Sequence, residues 1–236
     1  MDVVRLQQVV RAGLAGAADP ARAVEQQRYM HSELPYAGVS MPELRRLQRS
    51  WFAELEITER ADWDAAVRQL WGQAEVREEW YVAIGLARLN RYRGWASEPS
   101  ALALYRELIV AGSWWDVVDE ISQHLVGAVV AEHEVADEIR RWSVADQLWV
   151  RRAAILSQER HDRPDEHLLA DVIEANLTDS PYGGEFFIRK AIGWALRSYS
   201  KRAGADWGGA DWVRTFIEDH ADRLAPLSVR EASKYL

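Results

Sequence analysis

Ser113-Trp114-Trp115-Asp116-Val117-Val118-Asp119, followed by Ile121 and Leu125, is the stretch whose reading decides the fold. The spacing predicts a helix, with Ser113 as its N-cap and Asp116 three residues on completing a capping box. At about 100° per residue, Trp114, Val117, Val118, Ile121 and Leu125 share one apolar stripe. Trp115 and Asp119 fall off that stripe, side by side and one turn apart. An indole beside a carboxylate on a non-core face calls for an explanation beyond packing.

A second stretch, Phe186 to Lys201 (FFIRKAIGWALRSYSK), extends the argument. Ile188, Ile192, Ala195, Leu196 and Tyr199 make one buried helical face, and Lys190, Trp194, Arg197 and Lys201 gather on another. A tryptophan inside a basic stripe suits a surface that meets a polyanion carrying flat groups. The plainer reading is a solvated face with Trp194 covering a neighbouring helix, and for Asp119 a solvated helix carboxylate. Arg151-Arg152, taken alone, reads as an ordinary charge pair on an exposed helix.

Outward from these two segments, helical periodicity recurs with little strand alternation. Asp19-Pro20 precedes a helix near 21–33, and Met41-Pro42 opens another with proline in the tolerated first turn. Asp62 is placed to cap a helix near 63–74, and the next runs near 76–93. Glu98-Pro99 opens one that ends at Gly112; further helices are expected near 134–143, 146–160, 165–177 and 185–202. Asp206-Trp207-Gly208-Gly209 reads as a turn, and Ser228-Val229-Arg230-Glu231 as a capping box for a C-terminal helix. Helix pairs return at roughly the 40-residue period of HEAT-like repeats. The expected fold is therefore all-α, an α-solenoid of HEAT-like helical repeats with a concave binding face, over one domain, 1–236. A closed helical bundle is the competing architecture.

Composition narrows the function. Of 236 residues 48% are apolar, enough for a core, and twelve are tryptophan. The absence of cysteine excludes disulfides, thiolate metal sites and cysteine nucleophiles, and suits the cytosol. No run of about 18 apolar residues suggests a membrane span, and the first residues lack the apolar core of a secretion signal. The formal net charge of −8 disfavours a general nucleic-acid binder but permits one basic face. Six histidines show no metal-ligand spacing, and Gly183-Gly184 is a loop rather than a phosphate cradle, so neither a metal nor a cofactor is expected.

The motifs SWWDVVD at 113–119, RAAIL at 152–156 and FFIRKAIGWALR at 186–197 resemble the AlkD-type DNA alkylation repair enzymes, which are HEAT-like-repeat DNA glycosylases. The resemblance extends to Tyr29-Met30, Gly38 to Glu43 and Leu224 to Ala232, and so spans nearly the whole chain. It implies a monofunctional glycosylase that excises cationic N3- or N7-alkylated purines from double-stranded DNA in base excision repair, without flipping the base into a pocket. It makes Asp119 the catalytic carboxylate and Trp115 and Trp194 the indoles packed against the deoxyribose. Tyr29, Arg152 and Arg197 resemble backbone-contacting positions, and Lys190 and Lys201 extend that DNA-binding face. It also implies a monomer. The family often carries Gln-Thr where this chain has Ser40-Met41, so the contact from that loop departs from the pattern. Three classes stay open: a glycosylase for methyl-type lesions or for bulky N3-alkyladenine adducts of natural products, a non-catalytic DNA-binding protein, and a protein scaffold.

Overall fold

The computed structural model describes residues 3–202 and 208–236, and within them the chain is helical, with no strand. It divides into two compact units, Met1–Trp95 and Ala96–Leu236.

The first unit holds α1 (Val3–Gly16), α2 (Pro20–Met30), α3 (Met41–Ala53), α4 (Arg60–Gly72) and α5 (Arg77–Ala87), and runs into the short α6 (Arg93–Ala96). Its core follows helical spacing: Leu6, Val10 and Leu14 on α1 and Trp63, Val67 and Leu70 on α4 recur every three or four residues, and all are buried. α1, α4 and α5 pack together on these faces. Pro20 and Pro42 occupy the first turns of α2 and α3, as expected from the missing proline N–H. Ser40 caps α3 by accepting from the Glu43 amide at 3.4 Å, so the residue that departs from the family pattern serves as a helix cap. Asp62 is not a cap. α4 starts two residues earlier, at Arg60, which leaves Asp62 in the first turn, where its charge still suits the helix dipole.

The second unit contains α7 (Ala101–Gly112), α8 (Trp115–Glu120), a π-helical segment (Ile121–Val126), α9 (Gly127–Glu132), α10 (Ala136–Ser143), α11 (Leu148–Leu156), α12 (Glu166–Glu174), α13 (Phe186–Arg202), α14 (Gly209–Asp219), α15 (Pro226–Ala232) and a C-terminal 3-10 turn (Ser233–Tyr235). α11 is central, packed on α7, α8, α10, α12 and α13, while α13 also carries α14 and α15. Val117, Val118, Ile121 and Leu125 of the expected central stripe are buried, whereas Trp114, the first of that stripe, precedes the helix and is half-buried; on α13, Ile188, Ile192, Ala195, Leu196 and Tyr199 are all buried.

Ser113 does not cap α8. Only two residues separate α7 from α8, and Ser113 takes left-handed angles (φ 34°, ψ 40°) at the C-terminus of α7, its Oγ donating to the Val110 carbonyl at 2.5 Å. Trp114, in extended backbone, is the N-cap of α8 and offers no side-chain cap. Downstream of Glu120 the pitch widens, and the Gly127 amide reaches back five residues to the Ser122 carbonyl. Ser228 likewise is no cap: α15 begins at Pro226, and Ser228 Oγ instead donates to the Arg189 carbonyl at 2.8 Å on α13. Two helices, α1 and α14, are additions to the elements read from the sequence. Of the expected turn at 206–209, Asp206 and Trp207 lie outside the described residues, while Gly208 sits at φ +65° before α14.

Candidate functional site

Asp119 closes the first turn and a half of α8 and is 8% exposed. Its partner is Arg152 of α11, itself 4% exposed. The guanidinium grips the carboxylate with both prongs, Nε to Oδ1 at 2.7 Å and Nη2 to Oδ2 at 2.8 Å. Its third nitrogen, Nη1, donates to the Phe187 carbonyl at 2.5 Å at the start of α13. One buried arginine thus links three helices and fixes the carboxylate between them. Burial raises the Asp119 pKa above the usual aspartate value; Arg152 opposes that shift through hydrogen bonding and charge, while Asp116 and Glu120 reinforce it.

This geometry changes the reading of Arg152. The resemblance implies a backbone contact, but the side chain is buried and all three of its hydrogen-bonding nitrogens are engaged within the protein. Arg151 is buried as well, held by the Val144 and Ala145 carbonyls and Asn176, so the pair is not an exposed charged face.

An aromatic cluster borders the ion pair. Trp114 packs on Trp149 and edge-on to Phe187, with ring centroids 5.8 and 5.3 Å apart, and Phe187 lies 4.9 Å from Trp149. Arg152 stands 5.8 Å from the Phe187 ring. Trp115, half-buried, lies one turn before Asp119 on the same helix. The apolar surroundings keep the carboxylate poorly solvated and sharpen its field.

On α13, Trp194 is half-buried, as are Lys190 and Arg197, while Lys201 is exposed. The basic stripe carries an unforeseen counter-charge. Glu231 of α15 accepts from Lys190 Nζ at 3.1 Å, Arg197 Nη1 at 2.6 Å and Lys234 Nζ at 2.7 Å. These cations hold its carboxyl down to about 2, Lys234 and Lys190 foremost. Three cations around one carboxylate leave a net positive cluster in fixed positions. Gly193 makes this approach possible, since a Cβ there would stand 2.6 Å from Glu231 Cβ and 2.8 Å from the Ser228 carbonyl. Tyr29 belongs to the first unit and is 74% exposed at the end of α2. Asp119, Trp115, Trp194, Arg152, Lys190, Arg197 and Lys201 all belong to the second unit. Glu231 and Lys234 escaped the sequence reading as site residues; the signal for Glu231 was present, but as a capping motif.

Among the described residues no group of three or more His, Asp or Glu side chains is arranged to hold a metal ion. No helix among them is long and apolar enough to cross a membrane.

No curated protein matches the chain. A solved structure of a predicted DNA alkylation repair enzyme from Enterococcus faecalis is similar to it, with a TM-score of 0.74 and 30% sequence identity over 93% of this chain and 96% of that one. The family model for DNA alkylation repair enzymes matches residues 10–236, across both units. With motif, fold and family model in agreement, the chain belongs to the DNA alkylation repair enzyme family.

Proposed function

We propose that this protein is a monofunctional DNA glycosylase of HEAT-like-repeat type, acting as a cytosolic monomer on double-stranded DNA. It hydrolyses the N-glycosidic bond of cationic N3- or N7-alkylated purines in base excision repair, without enclosing the base. The observation that carries this reading is the buried Asp119 carboxylate, clamped by Arg152 one turn after Trp115.

The chemistry follows from charge. An N3- or N7-alkylated purine is cationic, so when the C1′–N bond breaks, the bonding electrons return to the ring and neutralise it. No acid is needed to protonate the leaving group. The sugar becomes oxocarbenium-like, and an anionic carboxylate stabilises that developing charge and orients the water whose oxygen bonds to C1′. The water's proton passes to the carboxylate or to solvent, leaving an abasic sugar and a neutral base. The electron-rich indole faces of Trp115 and Trp194 favour a nearby cationic sugar. Arg152 is a positioning residue in this scheme: it fixes both oxygens of Asp119 and limits the upward push of burial on its pKa. Lys190, Arg197 and Lys201, with Tyr29 from the first unit, contact phosphates and sugars, positioning the duplex without reading its sequence.

Single-turnover release of 7-methylguanine from a duplex with one lesion, wild type beside Asp119→Asn, tests the proposal. Release that falls at least a hundredfold in the variant supports it. Release that is equal in both removes Asp119 from catalysis. Absence of release from wild type, repeated with a bulky N3-alkyladenine adduct, would leave a DNA-binding protein on a repair-enzyme fold.

A further inference from the structure

The second unit carries the whole of the chain's net charge: the formal −8 falls on residues 96–236, and acids and bases balance over 1–95. Within the balanced first unit the cations are not equally engaged. Arg11 pairs with Glu75 and Glu79, Arg22 with Asp19, Arg46 with Glu43 and Arg68 with Asp64. Arg91 donates to the Phe52 and Leu55 carbonyls at the end of α3. Arg28 stands in the last turn of α2, where its charge suits the helix dipole. Arg45 and Arg49 have no such role. Both are exposed on α3 ahead of its last turn, and among the described residues neither has an ion pair or a hydrogen bond from its side chain.

The two arginines lie one turn apart on one face of α3, opposite the buried Leu44, Trp51 and Phe52. Like charges four residues apart repel and weaken a helix. The one acid of α3, Glu43, does not offset them, because Arg46 takes it through two hydrogen bonds of 2.9 and 2.6 Å. A solvent-facing cation pair without a counter-ion fits a ligand that brings repeated anionic groups. Four helical residues rise about 6 Å, within reach of successive phosphates for side chains of this length. We propose that the exposed face of α3 is a second contact surface for double-stranded DNA, with Arg45 and Arg49 on neighbouring phosphates of one strand. Such contacts hold a duplex without reading its bases or its lesion. They also offset the second unit's acidic field, which repels DNA. The surface belongs to a different unit from Asp119 and the α13 cations, and neither arginine enters the reaction proposed above. Its assignment to DNA rests on the proposed duplex substrate and is independent of excision.

The test is equilibrium binding of an undamaged, fluorescein-labelled duplex, followed by anisotropy across a range of salt. Arg45→Gln combined with Arg49→Gln should weaken binding about tenfold at low salt and lower the slope of log affinity against log salt by about two. Arg45→Lys combined with Arg49→Lys keeps both charges and should keep the wild-type slope. Arg46→Gln removes a cation from the same helix, but one already paired with Glu43, and should leave the slope unchanged. The double glutamine variant should melt no lower than wild type, since it relieves a like-charge pair. A wild-type slope in that variant overturns the proposal. So does an equal loss per charge in Arg46→Gln, which would make the effect one of net charge rather than of contact. Undamaged DNA offers nothing to excise, so the two readings fail separately: release of 7-methylguanine with an unchanged slope sinks this surface alone, and a lowered slope without release sinks the glycosylase alone.

Discussion

Separating Asp119 from Arg152 should expose how strongly this site is built into the fold. Both side chains are buried, and the pair shares two short hydrogen bonds of 2.7 and 2.8 Å. Removing one member of such a pair leaves an uncompensated charge in the interior, a loss of about 3–5 kcal/mol. At roughly 2–4 °C per kcal/mol for a chain of this size, Arg152→Gln or Asp119→Asn alone should lower the melting temperature by about 6–20 °C. The double variant leaves no stranded charge, and it should be less destabilised than the sum of the two by about 1–3 kcal/mol. Denaturant unfolding of the four proteins, followed by circular dichroism, measures the cycle. Additivity within about 0.5 kcal/mol would refute the reasoning, because independent sites add and members of one pair do not. The same numbers set a condition on the excision assay: Asp119→Asn must be compared with wild type at a temperature where both are folded.

Three further expectations concern the same unit. The proposed reaction uses Asp119 in its ionised form, so on that proposal single-turnover excision should climb as pH rises through its pKa, and because burial raises that pKa the acid limb should lie above the ordinary value of 3.8; a limb at or below 3.8 contradicts this. Gly193→Ala drives a methyl into Glu231 Cβ and the Ser228 carbonyl, and should destabilise the protein by about 1–2 kcal/mol in urea unfolding despite alanine's better helix propensity; unchanged stability would show that α15 moves aside at no cost. Arg197→Ala should weaken binding to every duplex alike and lower the slope of log affinity against log salt by about one; a loss confined to one base sequence rules out a phosphate role.

Much of the fold was legible because burial follows helical periodicity. The inward faces of the central stretch and of α13 are local patterns, and they bury as the 3.6-residue repeat requires. What escaped detection was non-local. The S-x-x-D pattern at Ser113 matches a capping box, yet with α7 ending at Gly112 the serine closes the earlier helix, and Gln147 from 34 residues on donates to its Oγ at 3.2 Å. Glu231 satisfies a local capping pattern too, but its partners Lys190 and Arg197 lie on α13 and draw it there. Arg152 looked like half of an exposed pair because its counter-ion is 33 residues away. The widened pitch after Glu120 was invisible to a reading that assumes a constant rotation per residue. At the candidate site, residue types were readable from Trp115, Asp119 and Trp194, whereas the arrangement that gives Asp119 its charge environment was not.

Arg152 also bears on how lineages of this fold can change. Because one guanidinium joins α8, α11 and the start of α13 around the carboxylate, a mutation that neutralises Asp119 strands a buried cation and endangers the whole unit. A descendant that keeps the scaffold for another purpose therefore has to exchange both residues, or pass through a poorly folded intermediate. Relatives that have lost Asp119 should carry paired replacements at positions 119 and 152, and a relative with aspartate lost but arginine retained should show a new acidic or carbonyl group within reach of that guanidinium.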